Sequence, residues 1–177
     1  EGSVLAYNWV HDNTGDHTMG IYLDNFCSHF VVHHNVVWNQ TSTGIRLNSD
    51  ATDHLVANNT VIQATPFGVF TYAGRTPTQK GTRIINNLVI GRLAPTDPHQ
   101  FVQGDLAPFW ACNLTGAIDA RGVPTVDSTA VDAGMVEAGI TDGFIGAAPD
   151  VGAYERGGDV WQPGADWGEV ASHPDLR

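Results

Sequence analysis

The sequence predicts an all-β solenoid, in which short parallel strands stack on one another and each repeat of the chain forms one rung. Two observations support this prediction. A glycine-led phrase, GIYLDNF from Gly20, returns as GIRLNSD from Gly44 and as GVFTYAG from Gly68. A second phrase, centred on asparagine, alternates with it as VLAYNWV, VVHHNVV, LVANNTV and RIINNLV. A repeat of about 20 to 29 residues with short β-rich phrases is typical of a solenoid whose rungs share one core.

The glycine-led phrase predicts one short strand in each rung. Its apolar residues occupy alternate positions, as at Ile21 and Leu23 and again at Ile45 and Leu47. Alternation is the period of a strand that turns one face inward, and helical spacing does not fit these positions. The residues between the apolar ones are therefore expected to face outward.

The asparagine phrase predicts a ladder of stacked side chains inside the solenoid. Each asparagine has an aliphatic residue three positions before it and another two positions after it, and the four are Asn8, Asn35, Asn59 and Asn87. A buried amide without a partner costs on the order of 1 to 3 kcal/mol. Rungs about 4.8 Å apart allow each amide to bond to the next one, so the cost is removed by stacking.

These phrases resemble those of the right-handed parallel β-helix proteins, the group that includes pectate lyases, alginate lyases and epimerases, and many glycoside hydrolases. The resemblance is clearest over residues 4–91, and NLTGAIDARG around Asn113 adds an irregular rung. It implies an all-β, right-handed parallel β-helix of four to five rungs over residues 1–121. The right-handed rule for crossovers between parallel strands agrees with this hand.

The remaining residues, 122–177, are expected to form an irregular closing segment packed on the solenoid, because their glycine and proline content opposes long strands. Their phrases VDAG, TDGFIG and PDVGAYE resemble the terminal segment of secreted bacterial β-helix proteins, which implies a secreted or extracellular protein. We expect Tyr154 to be buried and Asp150 to bond turn amides. Trp161 and Trp167 are expected to cover an apolar strip or to form a sugar platform.

Charge and composition restrict the partners. A formal net charge of −11 opposes binding to nucleic acid and to anionic lipid, and the apolar runs are too short to span a membrane. The same charge opposes an acidic polysaccharide unless calcium or a local arginine intervenes. Because the first residues begin inside a rung, we expect either upstream rungs of a longer chain or a partner that covers the open N-terminal edge.

The outward face of the glycine-led sheet is the first candidate site. Two columns of side chains are expected there, Tyr22, Arg46 and Phe70 beside Asp24, Asn48 and Tyr72. Aromatic rings stack on sugar C–H groups, arginine lies well between rings, and Asp and Asn side chains bond hydroxyls. The resemblance implies polymer binding on such a face. In the alternative reading, Arg46 pairs with Asp24 and the rings only shield the sheet.

The turn HDNTGDH is the second candidate site. For β-elimination His17 would act as base with Arg46, and calcium would be held by Asp12, Asp16 and Asp24. For hydrolysis Asp16 and Asp24 would be the two carboxylates. An Asp- and Gly-rich turn is equally typical of any solenoid loop, so the structural alternative stays open.

Three classes of function are therefore compatible with the sequence. They are a polysaccharide lyase or glycoside hydrolase, a noncatalytic module that binds a glycan or adheres to it, and a structural part of a larger solenoid. No zinc, acyl-serine or nucleotide motif is present. The neighbours His33 and His34 are expected to face opposite ways and not to bind one metal together. A disulfide between Cys27 and Cys112 stays open.

Overall fold

A computed structural model of the protein describes residues 2–48, 50–64, 68–71, 78–91 and 107–164. Within these ranges twelve strands form three parallel sheets around one core. The first three rungs each supply one strand to every sheet, and the later described residues add two strands to the first sheet and one to the second. The predicted right-handed parallel β-helix is confirmed, and no described helix is long and apolar enough to cross a membrane.

The strands alternate among the three sheets in chain order. The first sheet contains β1 (Val4–Ala6), β4 (Val31–His33), β7 (Leu55–Ala57), β10 (Arg83–Ile85) and β12 (Phe109–Ala111). The second contains β2 (Trp9–Asn13), β5 (Val36–Gln40), β8 (Thr60–Ala64) and β11 (Leu88–Ile90). The third contains β3 (Met19–Leu23), β6 (Thr43–Leu47) and β9 (Val69–Thr71).

The core is built from columns of equivalent apolar residues. In the third sheet Ile21 pairs with Ile45 and Ile45 with Val69, so the glycine-led phrases lie directly on one another. The first and second sheets add their own columns, which are Leu5, Val32, Val56, Ile84 and Trp110, and Val10, Val37, Val61 and Val89. These are the inward columns that the alternation predicted.

The asparagine ladder runs through all the rungs. The side-chain amide of each asparagine donates to Oδ1 of the next one, at 2.8 Å from Asn8 to Asn35 and 2.9 Å from Asn35 to Asn59. The ladder continues at 2.9 Å to Asn87 and 2.7 Å to Asn113. The same Oδ1 atoms also accept the backbone N–H of the preceding asparagine. The predicted ladder is confirmed, and it includes the irregular rung at Asn113.

The leading glycines mark a close approach between two sheets. A Cβ atom at Gly44 would collide with Cγ1 of Val61 and would lie 2.8 Å from the carbonyl oxygen of Gly68. Gly20 meets Val37 of the second sheet in the same way. The valine column of the second sheet thus occupies the space of the missing side chains, which explains why glycine returns at each repeat.

The closing segment packs against the second sheet. Tyr154 is 2% exposed among Val36, Trp38 and Ile62, and its hydroxyl accepts a hydrogen bond from Trp9 Nε1 at 3.2 Å. Burial of this tyrosine is therefore confirmed. Trp161 stacks on the Tyr154 ring with a centroid distance of 4.9 Å, so it covers an apolar surface. Trp167 lies outside the described residues.

Hydrogen bonds attach the closing segment to the rungs. Asn58 Nδ2 donates to the carbonyl oxygen of Asp150 at 3.1 Å, and Asn86 Nδ2 donates to that of Met135 at 2.8 Å. The Asp150 carboxylate accepts the backbone N–H groups of Asp132 at 2.8 Å and Arg156 at 2.7 Å. The predicted role of Asp150 is confirmed by these two bonds. Cys27 and Cys112 are both free thiols.

Candidate functional site: the outer strip of the third sheet

The outward face of the third sheet brings four of the predicted site residues together. Tyr22 on β3 pairs with Arg46 on β6, while Asp24 and Asn48 follow the ends of the same two strands. We call this group, Tyr22, Asp24, Arg46 and Asn48, the outer strip. The backbone of Phe70 continues the first column on β9 beside Arg46, but its side chain and all of Tyr72 lie outside the described residues.

A hydrogen-bond network joins the two rungs of the outer strip. Asn48 Nδ2 donates to the hydroxyl of Tyr22 at 2.8 Å and to Oδ1 of Asp24 at 2.9 Å. The Tyr22 hydroxyl donates to the same Oδ1 at 2.9 Å, and the backbone N–H of Asn25 donates to it at 2.8 Å. Oδ2 of Asp24 accepts no bond from the described residues. The bonds to Oδ1 order the carboxylate of Asp24, which is an exposed residue.

The network sets the protonation states of its members. Hydrogen bonds from Asn48, from the Asn25 backbone and from Tyr22 hold the pKa of Asp24 below its usual value. Burial, followed by the bond to Asp24, raises the pKa of Tyr22. At neutral pH the strip therefore offers an ionised carboxylate as acceptor and a protonated phenol.

Arg46 lies against an aromatic ring. Its guanidinium carbon is 5.7 Å from the centroid of the Tyr22 ring, within the range of a cation–π interaction. Tyr22 is 42% exposed, so part of the ring surface still faces solvent. The strip thus combines a charged acceptor, an amide, an aromatic surface and a cation within two rungs.

The residues of the HDNTGDH turn stand apart from the outer strip. Asp16 and His17 are exposed in the turn before β3, whereas Asp24 follows its other end. A strand rises about 3.3 Å per residue, so the ends of this five-residue strand are about 13 Å apart. The structure therefore places Asp16 and Asp24 at opposite ends of β3. Within the described residues, no hydrogen bond or ion pair joins His17 to Arg46.

The structure does not support calcium binding by the three predicted ligands, Asp12, Asp16 and Asp24. Asp12 is engaged by Asn39 Nδ2 at 2.6 Å and by His11 Nδ1 at 2.8 Å, which together lower its pKa. Asp24 lies beyond the far end of β3 from Asp16. Across the described ranges, no group of three or more His, Cys, Asp or Glu side chains is placed to hold a metal ion.

The expectation that the side chains of His33 and His34 face opposite ways was wrong. Their Nδ1 atoms are 2.9 Å apart, because His34 has a φ of 50° and leaves the alternation of β4. The Tyr7 ring stacks on His34 at 5.2 Å. Burial, and secondarily the charge of His33, lower the pKa of His34 to about 4, and burial lowers the pKa of His33.

A signal for this geometry was present in the sequence. The residue before each ladder asparagine has a positive φ throughout, and these residues are Tyr7, His34, Asn58, Asn86 and Cys112. Asn tolerates the left-handed conformation better than most residues, so the NN pairs at Asn58 and Asn86 indicated it. In every rung the strand of the first sheet ends directly before this residue, so the alternation of inward and outward side chains does not continue through it.

A second contact, between Cys27 and His54, does not activate the thiol. Cys27 Sγ lies 3.6 Å from His54 Nε2, while Nδ1 of the histidine accepts the backbone N–H of Phe30 at 3.0 Å. In the neutral imidazole the hydrogen is then on Nε2, which faces the sulfur. Burial raises the pKa of Cys27 and lowers that of His54 to about 4. His54 is therefore not a base for this cysteine.

Residues 2–99, more than half of the chain, match the family model described as periplasmic copper-binding protein (NosD). The chain belongs to the NosD family. No curated protein and no solved structure matches it. The NosD match includes the outer strip and ends before the closing segment. It supports a β-helix repeat protein and gives no support to the pectate-lyase-like assignment or to lyase or hydrolase activity.

The NosD description names copper as a ligand of that family. Copper sites in proteins use sets of imidazole and sulfur ligands, of which the trigonal His₂Cys site is one. The described residues contain no such set of three, and the His33–His34 pair supplies only two nitrogens. At Cys27 and His54 the ring nitrogen that faces the sulfur carries hydrogen. The described residues therefore do not fit a copper centre.

Proposed function

We propose that this NosD-family protein binds a neutral glycan at the outer strip, in the periplasm or outside the cell. The network of Tyr22, Asp24 and Asn48 is the observation that carries the proposal. It holds polar groups of two rungs in place on an exposed sheet face, and Oδ2 of Asp24 accepts no bond from the described residues. The family description as periplasmic supports the location.

The chemistry of the strip suits a sugar. A ligand hydroxyl donates to Oδ2 of Asp24, and the exposed part of the Tyr22 ring packs on sugar C–H groups. Because the network already orders these side chains, less conformational entropy is lost when the ligand binds. A net charge of −11 and the ionised Asp24 favour a neutral glycan over an acidic one.

Binding is favoured over turnover. A glycoside hydrolase needs a protonated carboxylic acid and a second carboxylate within about 5 to 9.5 Å. Asp24 is held ionised, and Asp16 lies at the other end of β3. A lyase needs a base near the substrate, and because the raised pKa of Tyr22 keeps its phenol protonated, only the ionised Asp24 of the outer strip is left for that role. The polysaccharide lyase and hydrolase alternatives become outcomes of the experiment.

The experiment compares wild-type protein with Asp24→Asn on a panel of neutral and acidic oligosaccharides, by isothermal titration calorimetry. Asp24→Asn keeps the size of the side chain and removes the charged acceptor, so affinity for the glycan should fall tenfold or more, which is about 1.4 kcal/mol. Asp127→Asn, an exposed aspartate of the closing segment, is the matched control and should bind as wild type does.

Turnover is measured in the same samples by reducing ends and by the absorbance of unsaturated products, with and without calcium. Binding of a neutral glycan that Asp24→Asn weakens, without product, agrees with the proposal. No binding in the whole panel, or equal affinity in wild type and Asp24→Asn, contradicts it. Product formation would restore the enzymatic alternatives.

A further inference from the structure

The turn after β3 carries a phenylalanine where the same turn of the next rung carries an aspartate. Strand pairing before the turn and the Ser28–Thr52 bridge after it both join residues 24 positions apart. Phe26 and Asp50 are therefore equivalent, and their φ angles are 62° and 59°. The two rungs share a backbone conformation and differ in the side chain placed on it.

Phenylalanine is a poor choice for this position if only folding is considered. The left-handed region is unfavourable for bulky side chains, while Asp and Asn enter it more readily because their short polar groups bond locally. In addition, Phe26 is 81% exposed, the largest exposure among the bulky apolar residues of the described chain. Its ring stacks on no other described ring. Neither the backbone nor the core gains from this side chain.

The ring lies in the same turn as the open carboxylate of the outer strip. The backbone N–H of Cys27 donates to the carbonyl oxygen of Asp24 at 3.3 Å, and that of Asn25 donates to Oδ1 of Asp24 at 2.8 Å. These bonds close the turn around Phe26. The exposed Phe26 ring is thus two residues along the chain from an ordered hydrogen-bond acceptor in the same turn, and such a pair suits a sugar ring, which has an apolar face and hydroxyl groups.

We propose that Phe26 is a stacking residue for the glycan whose hydroxyls bond to Asp24 and Asn48. The inference rests on the proposed glycan binding and extends the outer strip to the turn beyond it. It gives a reason for an exposed aromatic residue at a backbone position where the next rung has an aspartate.

The test separates an effect on folding from an effect on binding, because it gives position 26 a short polar side chain like that of the equivalent Asp50. Phe26→Asn places a residue suited to the left-handed conformation in the turn, so its free energy of unfolding in urea should equal or exceed that of wild type. Its affinity for the neutral glycan should fall about tenfold in calorimetry. Phe26→Tyr keeps the ring and should retain both the affinity and the stability of wild type.

The outcomes bear separately on glycan binding at the outer strip and on the stacking role of Phe26. If wild type binds a glycan and Asp24→Asn weakens it while Phe26→Asn does not, the role of Phe26 is overturned and the outer strip stands. If Phe26→Asn loses stability, the ring serves the fold and the role is overturned as well. If wild type binds no glycan of the panel, both proposals fail.

Discussion

Replacing Asn59 by alanine tests the ladder at its centre. Oδ1 of Asn59 accepts the backbone and side-chain N–H groups of Asn35 at 3.0 and 2.9 Å. Its Nδ2 lies 2.9 Å from Asn87 Oδ1 and 3.0 and 3.1 Å from the carbonyl oxygens of Val32 and Ala57, and its two hydrogens are shared among these three acceptors. The side chain therefore makes the equivalent of four hydrogen bonds. Asn59 is fully buried, so no water replaces these partners.

The same substitution at Asn8 is the matched control at the end of the ladder. The Asn8 side chain makes two bonds, to Ala6 at 3.0 Å and to Asn35 at 2.8 Å, and the residue is exposed. At about 1 kcal/mol for each hydrogen bond, Asn59→Ala should lower the free energy of unfolding by about 4 kcal/mol and Asn8→Ala by at most about 2 kcal/mol.

The measurement is urea denaturation followed by tryptophan fluorescence, with the slope of the transition checked for constancy. A constant slope shows that both variants expose the same surface area on unfolding, so that differences in the transition midpoints report differences in stability. Equal losses in the two variants, or a greater loss in Asn8→Ala, would refute the reasoning, because the cost would then not depend on burial and bond number.

Two further predictions test the sheet contact and a buried histidine. Gly44→Ala should lower the free energy of unfolding by about 1 to 3 kcal/mol, because its methyl group meets Val61. Val61→Ala, combined with Gly44→Ala, should restore part of the lost stability. If the free energies of unfolding measured in urea show that the two substitutions have strictly additive effects, the contact between Gly44 and Val61 is contradicted. Burial lowers the pKa of His54, 1% exposed, to about 4, so the unfolded state binds its proton first as the pH falls below about 6.5. Stability should therefore fall by up to about 3 kcal/mol between pH 6.5 and 4. His54→Asn, which keeps an acceptor for Phe30, should flatten that part of the stability profile, and an unchanged profile would show that other groups cause the loss.

The stacked rungs could be predicted from the sequence because every rung places apolar residues and an asparagine in the same local pattern. Alternation at Ile21 and Ile45 and the aliphatic residues around Asn59 depend on the strand period alone, and so the columns and the ladder could be predicted. The positions of His33 and His34 were missed because a single left-handed residue, which alternation does not record, ends the strand. Asn58, in the same place one rung later, carried that information in its residue type.

The sequence by itself determined the architecture of this protein, since a period of about 24 residues with alternating apolar positions has few physical solutions other than a stacked solenoid. Only the tertiary structure decided which polar residues meet. Asp16 is eight positions from Asp24 yet lies at the other end of β3, whereas Asn48, 24 positions away, donates to its carboxylate at 2.9 Å. Stacking makes residues one rung apart into neighbours about 4.8 Å away, while an extended strand separates residues that are close in sequence. The docking of Tyr154 on the second sheet was likewise decided by packing, because the closing segment has no repeat to record where it lies.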